Sequence, residues 1–486
     1  MYAAALFIVN TLFQMLTINN SRIARLPMDA TPLTAAMASP PSQRGLLIMA
    51  LDIALLVILL QILPFDEKAN TGLALTIFVG VLWLTEAVHV TITALLIPLL
   101  AIGFGLLDAA GALKSFANPT IFLFFGGFVL ATALHVQGLD RLIANQLLLL
   151  AGGRMATAVL MLFSVTAALS MWISNTATAA MMLPLALGIL TNLDPVRERN
   201  TYVFLLLGIA YSASIGGLGT LVGSPPNAIA AAQLGIDFLT WMKYGIPVMV
   251  VMMPLMMGLL YLLLRPNLQH KVTLHVEPLE WTASRVIALL IFALTVFGWI
   301  FSSQISAMLG GIKQFDTLVA VGAAVLIGAS GVASWDQIQR NTEWGVLMLF
   351  GGGLTLSLIL EGSGASAILA HGMADIFGQS HWFIILLAVA AFIIFLTEFT
   401  SNTASAALLV PVFATVAKAL GMPESLLTLV IGIGASCAFM LPVATPPNAI
   451  VFGSGHIRQQ EMVRVGFWLN LVSIFALSLF AWLFWR

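Results

Sequence analysis

From Leu46 to Arg486 the chain is a series of apolar stretches separated by short polar gaps. A helix needs about 20 apolar residues to cross the hydrocarbon of a bilayer. The pattern predicts spans at 46–63, 72–88, 90–107, 118–136, 201–230, 244–264, 286–303, 316–333, 344–362, 425–455 and 463–485, about eleven in all. Two apolar intervals of about 38 residues do not fit, 155–192 and 382–418. Each half is too short to cross, and each interval carries Ser-Asn-Thr near its middle. Both read as re-entrant hairpins with that triplet at the tip.

The polar interruptions repeat. Phe125-Gly126-Gly127 returns as Phe350-Gly351-Gly352, Ser174-Asn175-Thr176 as Ser401-Asn402-Thr403, and SPPNAI at 224–229 as TPPNAI at 445–450. Equivalent elements are separated by five spans, and an odd number forces opposite orientations, the inverted-repeat plan of secondary transporters. Amphipathic stretches at 138–153 and 364–378 follow each FGG span and read as interfacial helices. The expected fold is an all-α polytopic membrane protein. Residues 1–45 form an extension with no assigned role, 46–264 the first span plus the first repeat, 265–285 a polar cytoplasmic linker, and 286–486 the second repeat.

Composition agrees with the pattern: 60% of the 486 residues are hydrophobic, 8% are charged, and the mean hydropathy is +1.04. No soluble domain fits between the spans. The net charge of −1 and the lack of a basic tract argue against nucleic acid. Placing the N-terminus in the cytoplasm puts thirteen of the 19 Lys and Arg residues inside, which supports that orientation. Cys437, the single cysteine, excludes an intrachain disulfide and is expected to pack within a helix of small residues. No HExxH, no phosphate-binding loop and no nucleophile–base pair at membrane depth points to an enzyme or a primary pump.

Pro225-Pro226 and Pro446-Pro447 delete amide donors, so their spans must unwind and free carbonyls at Gly223 and Ala444. A desolvated cation is the partner that turns this into function. The triplet tips offer neutral hydroxyl and amide donors and helix N-terminal amides, which suit an anion. Asn175 and Asn402 can each hold a cation with the carbonyl end and an anion with the amide end. Ser170, four residues before Ser174 and expected on the same helix face, completes one cation shell with Asn175 and Gly223. Thr397, Thr400, Asn402 and Ala444 supply the other. All-oxygen ligands without a carboxylate suit sodium. Glu86 and Glu398 are the conspicuous acids; Glu398 has no acidic counterpart, since Met171 stands in its place, and reads as a structural hydrogen-bonding group.

These motifs, with WLTEAVHVT at 83–91 and MLPVATPPNAIVFGSGHI at 440–457, resemble the divalent anion/sodium symporter family, specifically its bacterial INDY-type dicarboxylate transporters. The resemblance covers residues 46–486. It implies a homodimer in the bacterial inner membrane, with scaffold and transport domains interleaved across both repeats and an elevator motion. The implied activity is sodium-coupled uptake of C4-dicarboxylates such as succinate, fumarate and malate, with sodium co-transported and no organic cofactor. Dicarboxylate exchange, or transport of sulfate or citrate, is the alternative. One sodium site would use Ser170, Ser174, Asn175 and Gly223, and the other Thr397, Thr400, Asn402 and Ala444. The dicarboxylate would contact Ser174, Asn175, Thr176, Ser401, Asn402 and Thr403 together with Ser224, Pro225, Thr445 and Pro446.

Overall fold

The computed structural model describes residues 43–149, 152–191, 193–271, 280–377 and 380–486. Most of the expected N-terminal extension (1–42) and residues 272–279 of the linker lie outside them. The described residues form helices with no strand, only one isolated bridge, between Arg154 and Lys271. In the first half run α1 (Gln43–Ile62), α2 (Glu67–Thr85), α3 (Val90–Gly103), α4 (Ala109–Lys114), α5 (Pro119–Val136), α6 (Leu139–Leu149), α7 (Met155–Ser170), α8 (Asn175–Leu190), α9 (Arg199–Gly216), α10 (Pro225–Leu234) and α11 (Phe238–Leu264). The second half has α12 (Ala283–Ile300), α13 (Ser302–Met308), α14 (Phe315–Ala329), α15 (Trp335–Asn341), α16 (Trp344–Ser363), α17 (Ala365–Phe377), α18 (Trp382–Leu396), α19 (Asn402–Ala419), α20 (Glu424–Gly434), α21 (Pro446–Gly453) and α22 (Gln459–Phe484).

Nine helical segments among the described residues are long and apolar enough to cross a membrane. The hairpin arm α19 is one of them, whereas three expected spans are shorter: 90–107 yields the 14-residue α3, 316–333 the 15-residue α14, and 425–455 breaks into α20 and α21. The 201–230 span breaks likewise, between α9 and α10. Both breaks are where the proline pairs stand. The prolines do not kink a helix from within; each pair occupies the first turn of the second half-helix, where a missing amide hydrogen costs nothing. Cys437 is not helical as expected but lies in the second break, buried, with Sγ 3.5 Å from the Ile433 carbonyl.

The halves interlock. Helix α5 packs along α14 and α16 along α3, in close contacts through the FGG runs: a Cβ on Gly126 would lie 2.5 Å from the Ala320 carbonyl, and one on Gly352 2.8 Å from that of Ala94. In the other group, α10 packs on α19 and α20, and α9 on α21. Helix α9 is buried from Thr201 to Gly216, and the Tyr211 hydroxyl donates to the Phe439 carbonyl at 2.8 Å, tying α9 to the second break. Gly138 and Gly364, at φ 66° and 80°, turn the chain from α5 into α6 and from α16 into α17, a left-handed conformation that glycine adopts without penalty.

Candidate functional site

Four helices begin at one place. The first hairpin turns between α7 and α8 at 171–174, and the second between α18 and α19 at 397–401. Ser174 and Ser401 cap the returning arms, each hydroxyl accepting from the backbone amide three residues on, Ala177 and Ala404, at 3.3 Å. Ser170 and Ser174 therefore do not share a helix face as expected: one ends α7 and the other caps α8. The broken spans supply the other two N-termini, with Ser224 and Thr445 at the N-cap positions; the Thr445 hydroxyl accepts from the Asn448 amide, and Ser224 makes no side-chain capping bond.

All four surround a cavity of about 310 Å³ lined by both Ser-Asn-Thr triplets, Gly223 to Pro226 and Ala444 to Pro447. Every residue expected to contact the anion lines it, as do Gly223 and Ala444. Ser170, Thr397 and Thr400 do not. Sequence reading missed Phe128, Val222, Glu343 and Val443, which complete the wall with Glu86. Among the described residues no lysine or arginine lines it; what the wall offers an anion is amide dipoles, hydroxyls and the positive ends of four helices.

Behind the first tip lies an oxygen cage. The inward atom of the Asn175 side-chain amide sits 2.6 Å from Ser170 Oγ, 3.0 Å from the Ala213 carbonyl and 3.2 Å from the Gly223 carbonyl. With nitrogen inward, the amide donates to these acceptors. With oxygen inward, it faces two carbonyl oxygens with no proton between, a repulsion that a cation relieves. Ala213 thus joins Ser170, Asn175 and Gly223; its place on α9 gave no sequence signal. Behind the second tip Asn402 Oδ1 is buried without a partner. The Thr397 hydroxyl bonds the Ile393 and Ile394 carbonyls at 3.0 and 3.2 Å, and that of Thr400 bonds the Leu396 carbonyl and Ser405. Both hydroxyls donate to backbone carbonyls and keep oxygen lone pairs, so an ion here could draw on Thr397 and Thr400 as well as on Asn402.

The breaks are stapled by symmetric asparagines that sequence reading did not single out. Asn227 Nδ2 donates to the carbonyls of Gly217 and Thr220 at 2.8 and 2.7 Å; Asn448 Nδ2 donates to Ala438 and Leu441, its equivalents, at 3.3 and 3.0 Å. The remaining supports differ. In the first break the Thr220 hydroxyl bridges the Met171 carbonyl and the Gly223 amide. In the second, Glu398, fully buried, accepts from the amides of Phe439, Met440 and Leu441 at 2.8 to 3.0 Å and from Asn470 Nδ2 at 2.7 Å. The structural reading of Glu398 holds. Ser224 and Ser436 join the breaks through their hydroxyls, 2.9 Å apart.

Residues 43–486 match the family described as the sodium:sulfate symporter transmembrane region. An uncharacterized transporter of Haemophilus influenzae is 59% identical over 456 residues, covering 92% of this chain and 99% of that protein. The sodium-dependent dicarboxylate transporter SdcS of Staphylococcus saprophyticus is 33% identical over 470 residues, covering 90% of each chain. The Alcanivorax borkumensis YdaH transporter, at 14% identity, shares the fold with a TM-score of 0.54 over 85% of this chain and 99% of its own.

Proposed function

The chain belongs to the family of the sodium:sulfate symporter transmembrane region, and from that membership we propose that it couples sodium entry to the uptake of C4-dicarboxylates across the bacterial inner membrane. The observation that carries this reading is the convergence of four helix N-termini on one cavity that no described lysine or arginine lines, with an oxygen cage directly behind. The kinship to a dicarboxylate transporter supports the substrate class. A dianion in a cavity without lysine or arginine needs positive charge that neutral dipoles supply only in part, and co-bound sodium supplies the rest.

Asn175 makes the two events one. Sodium in the cage holds the amide oxygen inward and leaves the nitrogen to face the cavity as a donor. Without sodium the amide turns, and its oxygen faces the anion. The differential affinity of the two orientations is the coupling free energy, and it acts equally in both directions. The inverted repeats then let the hairpins and broken spans move as one body against the α2, α3, α5, α12, α14 and α16 frame, so that the same site opens alternately on the two faces, an elevator motion in a homodimer with its N-terminus cytoplasmic.

The test is uptake of radiolabelled succinate into proteoliposomes with and without a sodium gradient, at varied internal succinate, with sulfate and citrate as competitors. Sodium-driven uptake into vesicles free of succinate is expected. Uptake indifferent to replacement of sodium by choline refutes the coupling, and a requirement for internal succinate makes the protein an exchanger.

A further inference from the structure

Among the residues lining the cavity only Glu86 and Glu343 are acids, and none is basic. Both are exposed and belong to the frame: Glu86 follows α2, and Glu343 precedes α16. They stand at the same end of it, since a Cβ on Gly345 would lie 2.6 Å from Thr91 Oγ1, joining the starts of α16 and α3. The cavity in this conformation is thus bounded on one side by carboxylates, although its tips are built for an anion. At the other end of the frame the first tip is covered: Trp172 packs 5.4 Å from Phe292 and stacks 6.5 Å from Trp299.

The inverted repeat says what replaces the two acids when the site opens on the other face. The FGG alignment pairs Glu343 with Asn118, and each residue occupies the N-cap position of the span that follows. Trp83 and Trp299 are likewise equivalent, each indole donating to the carbonyl near the start of the next span, Val90 at 3.1 Å and Asp316 at 3.0 Å. That pairing sets Glu86 opposite Ser302. At these two positions one rim carries exposed carboxylates where its counterpart carries Asn118 and Ser302; Asp316, in the first turn of α14 at that counterpart end, is buried, with Oδ1 accepting from the Thr317 amide at 3.0 Å.

Resting on the dicarboxylate reading above, we propose that Glu86 and Glu343 set an asymmetry of substrate affinity, weakening the hold on a dianion on the face where they line the cavity while the Asn118 and Ser302 face holds it more tightly. By the Lys/Arg distribution the acidic face is cytoplasmic, so the arrangement favours discharge of the anion into the cell. It also draws sodium toward the opening. The asymmetry changes rates and half-saturation on each face but not the final gradient, which the ion stoichiometry alone fixes. A carboxylate about 10 Å from a dianion, screened at physiological salt, alters affinity by ~2- to 10-fold.

The experiment measures the KM for succinate in right-side-out and inside-out vesicles, at mildly alkaline pH and at low and high ionic strength. Wild type is expected to show the higher KM on the acidic face, with the difference shrinking as salt rises. Glu86→Gln with Glu343→Gln should lower the KM on that face by ~3- to 10-fold at low salt and abolish its salt dependence. Glu343 makes no side-chain capping bond, so glutamine removes charge and little else. In the reverse exchange, Asn118→Asp keeps the cap on Thr120 and should raise the KM on the opposite face only. Equal KM values on both faces in wild type, or an unchanged acidic-face KM in the double variant, overturn the proposal. Wild type that transports no dicarboxylate at all refutes instead the functional reading on which it rests.

Discussion

Glu398 offers the sharpest test of how the second break is held. Its carboxylate accepts from three consecutive backbone amides and from Asn470, all within 3.0 Å; Glu398, Phe439 and Asn470 are buried, and Met440 and Leu441 half-buried. Alanine would strand four donors. Leaving a buried donor unsatisfied costs about 1–3 kcal/mol, so even with partial relaxation Glu398→Ala should lose about 4–6 kcal/mol, a large fraction of a typical folding free energy. Glutamine is the more informative change. Its oxygen can keep the bonds of Oε1 to Phe439, Met440 and Asn470, but its NH2 group then opposes the Leu441 amide, donor against donor. The expected loss is about 2–3 kcal/mol, concentrated in the segment that presents Ala444 and Thr445 to the cavity. Thermal unfolding in detergent should fall for Glu398→Gln, and half-saturating sodium should rise by about tenfold if 1.4 kcal/mol of that loss reaches the cation site. A proton-carrying role predicts a different pattern. A Glu398→Gln protein that unfolds at the wild-type temperature, keeps its sodium affinity and loses only its pH dependence would refute the structural account.

Asn175→Asp keeps oxygen facing the Ser170, Ala213 and Gly223 cage and removes the donor facing the cavity, so sodium-induced thermal stabilisation should persist while succinate binding falls by at least about tenfold, measured by calorimetry in sodium; retained succinate affinity would defeat the amide-switch account. Pro446→Ala restores an amide at the start of α21 and lets helix extend back across 444–445, so the sodium dependence of uptake should weaken before expression does, and unaltered sodium dependence would mean that Asn448 and Glu398 hold the break by themselves. Gly364→Ala places a side chain in open space, nothing lying within 4 Å, but at φ 80°, so it should lower stability by about 1–2 kcal/mol through the backbone alone; an unchanged unfolding temperature would show that the turn relaxes.

What the sequence made legible, it made legible through repetition. One Pro-Pro or one Ser-Asn-Thr reads as a kink or as interhelical glue, but paired copies in opposed orientations place two hairpins and two broken spans, and these are the four N-termini around the cavity. The same logic fails where chemistry runs through the backbone. Ala213 contributes a carbonyl, which any residue carries, and nothing in its side chain marks α9 as part of a cage. It fails again where the repeats have diverged: Thr220 and Glu398 hold equivalent breaks with a hydroxyl on one side and a carboxylate on the other, and neither points to its counterpart. Asn227 and Asn448 stood inside the repeated motif and still went unassigned, because the motif suggested a ligand where the structure uses a staple. Their Nδ2 groups serve the breaks, yet both Oδ1 atoms are buried without partners. A staple fixed by its donor end leaves its acceptor end without a partner, and in the sodium-coupled reading proposed above these two oxygens add to the electronegative field around the cation without ligating it.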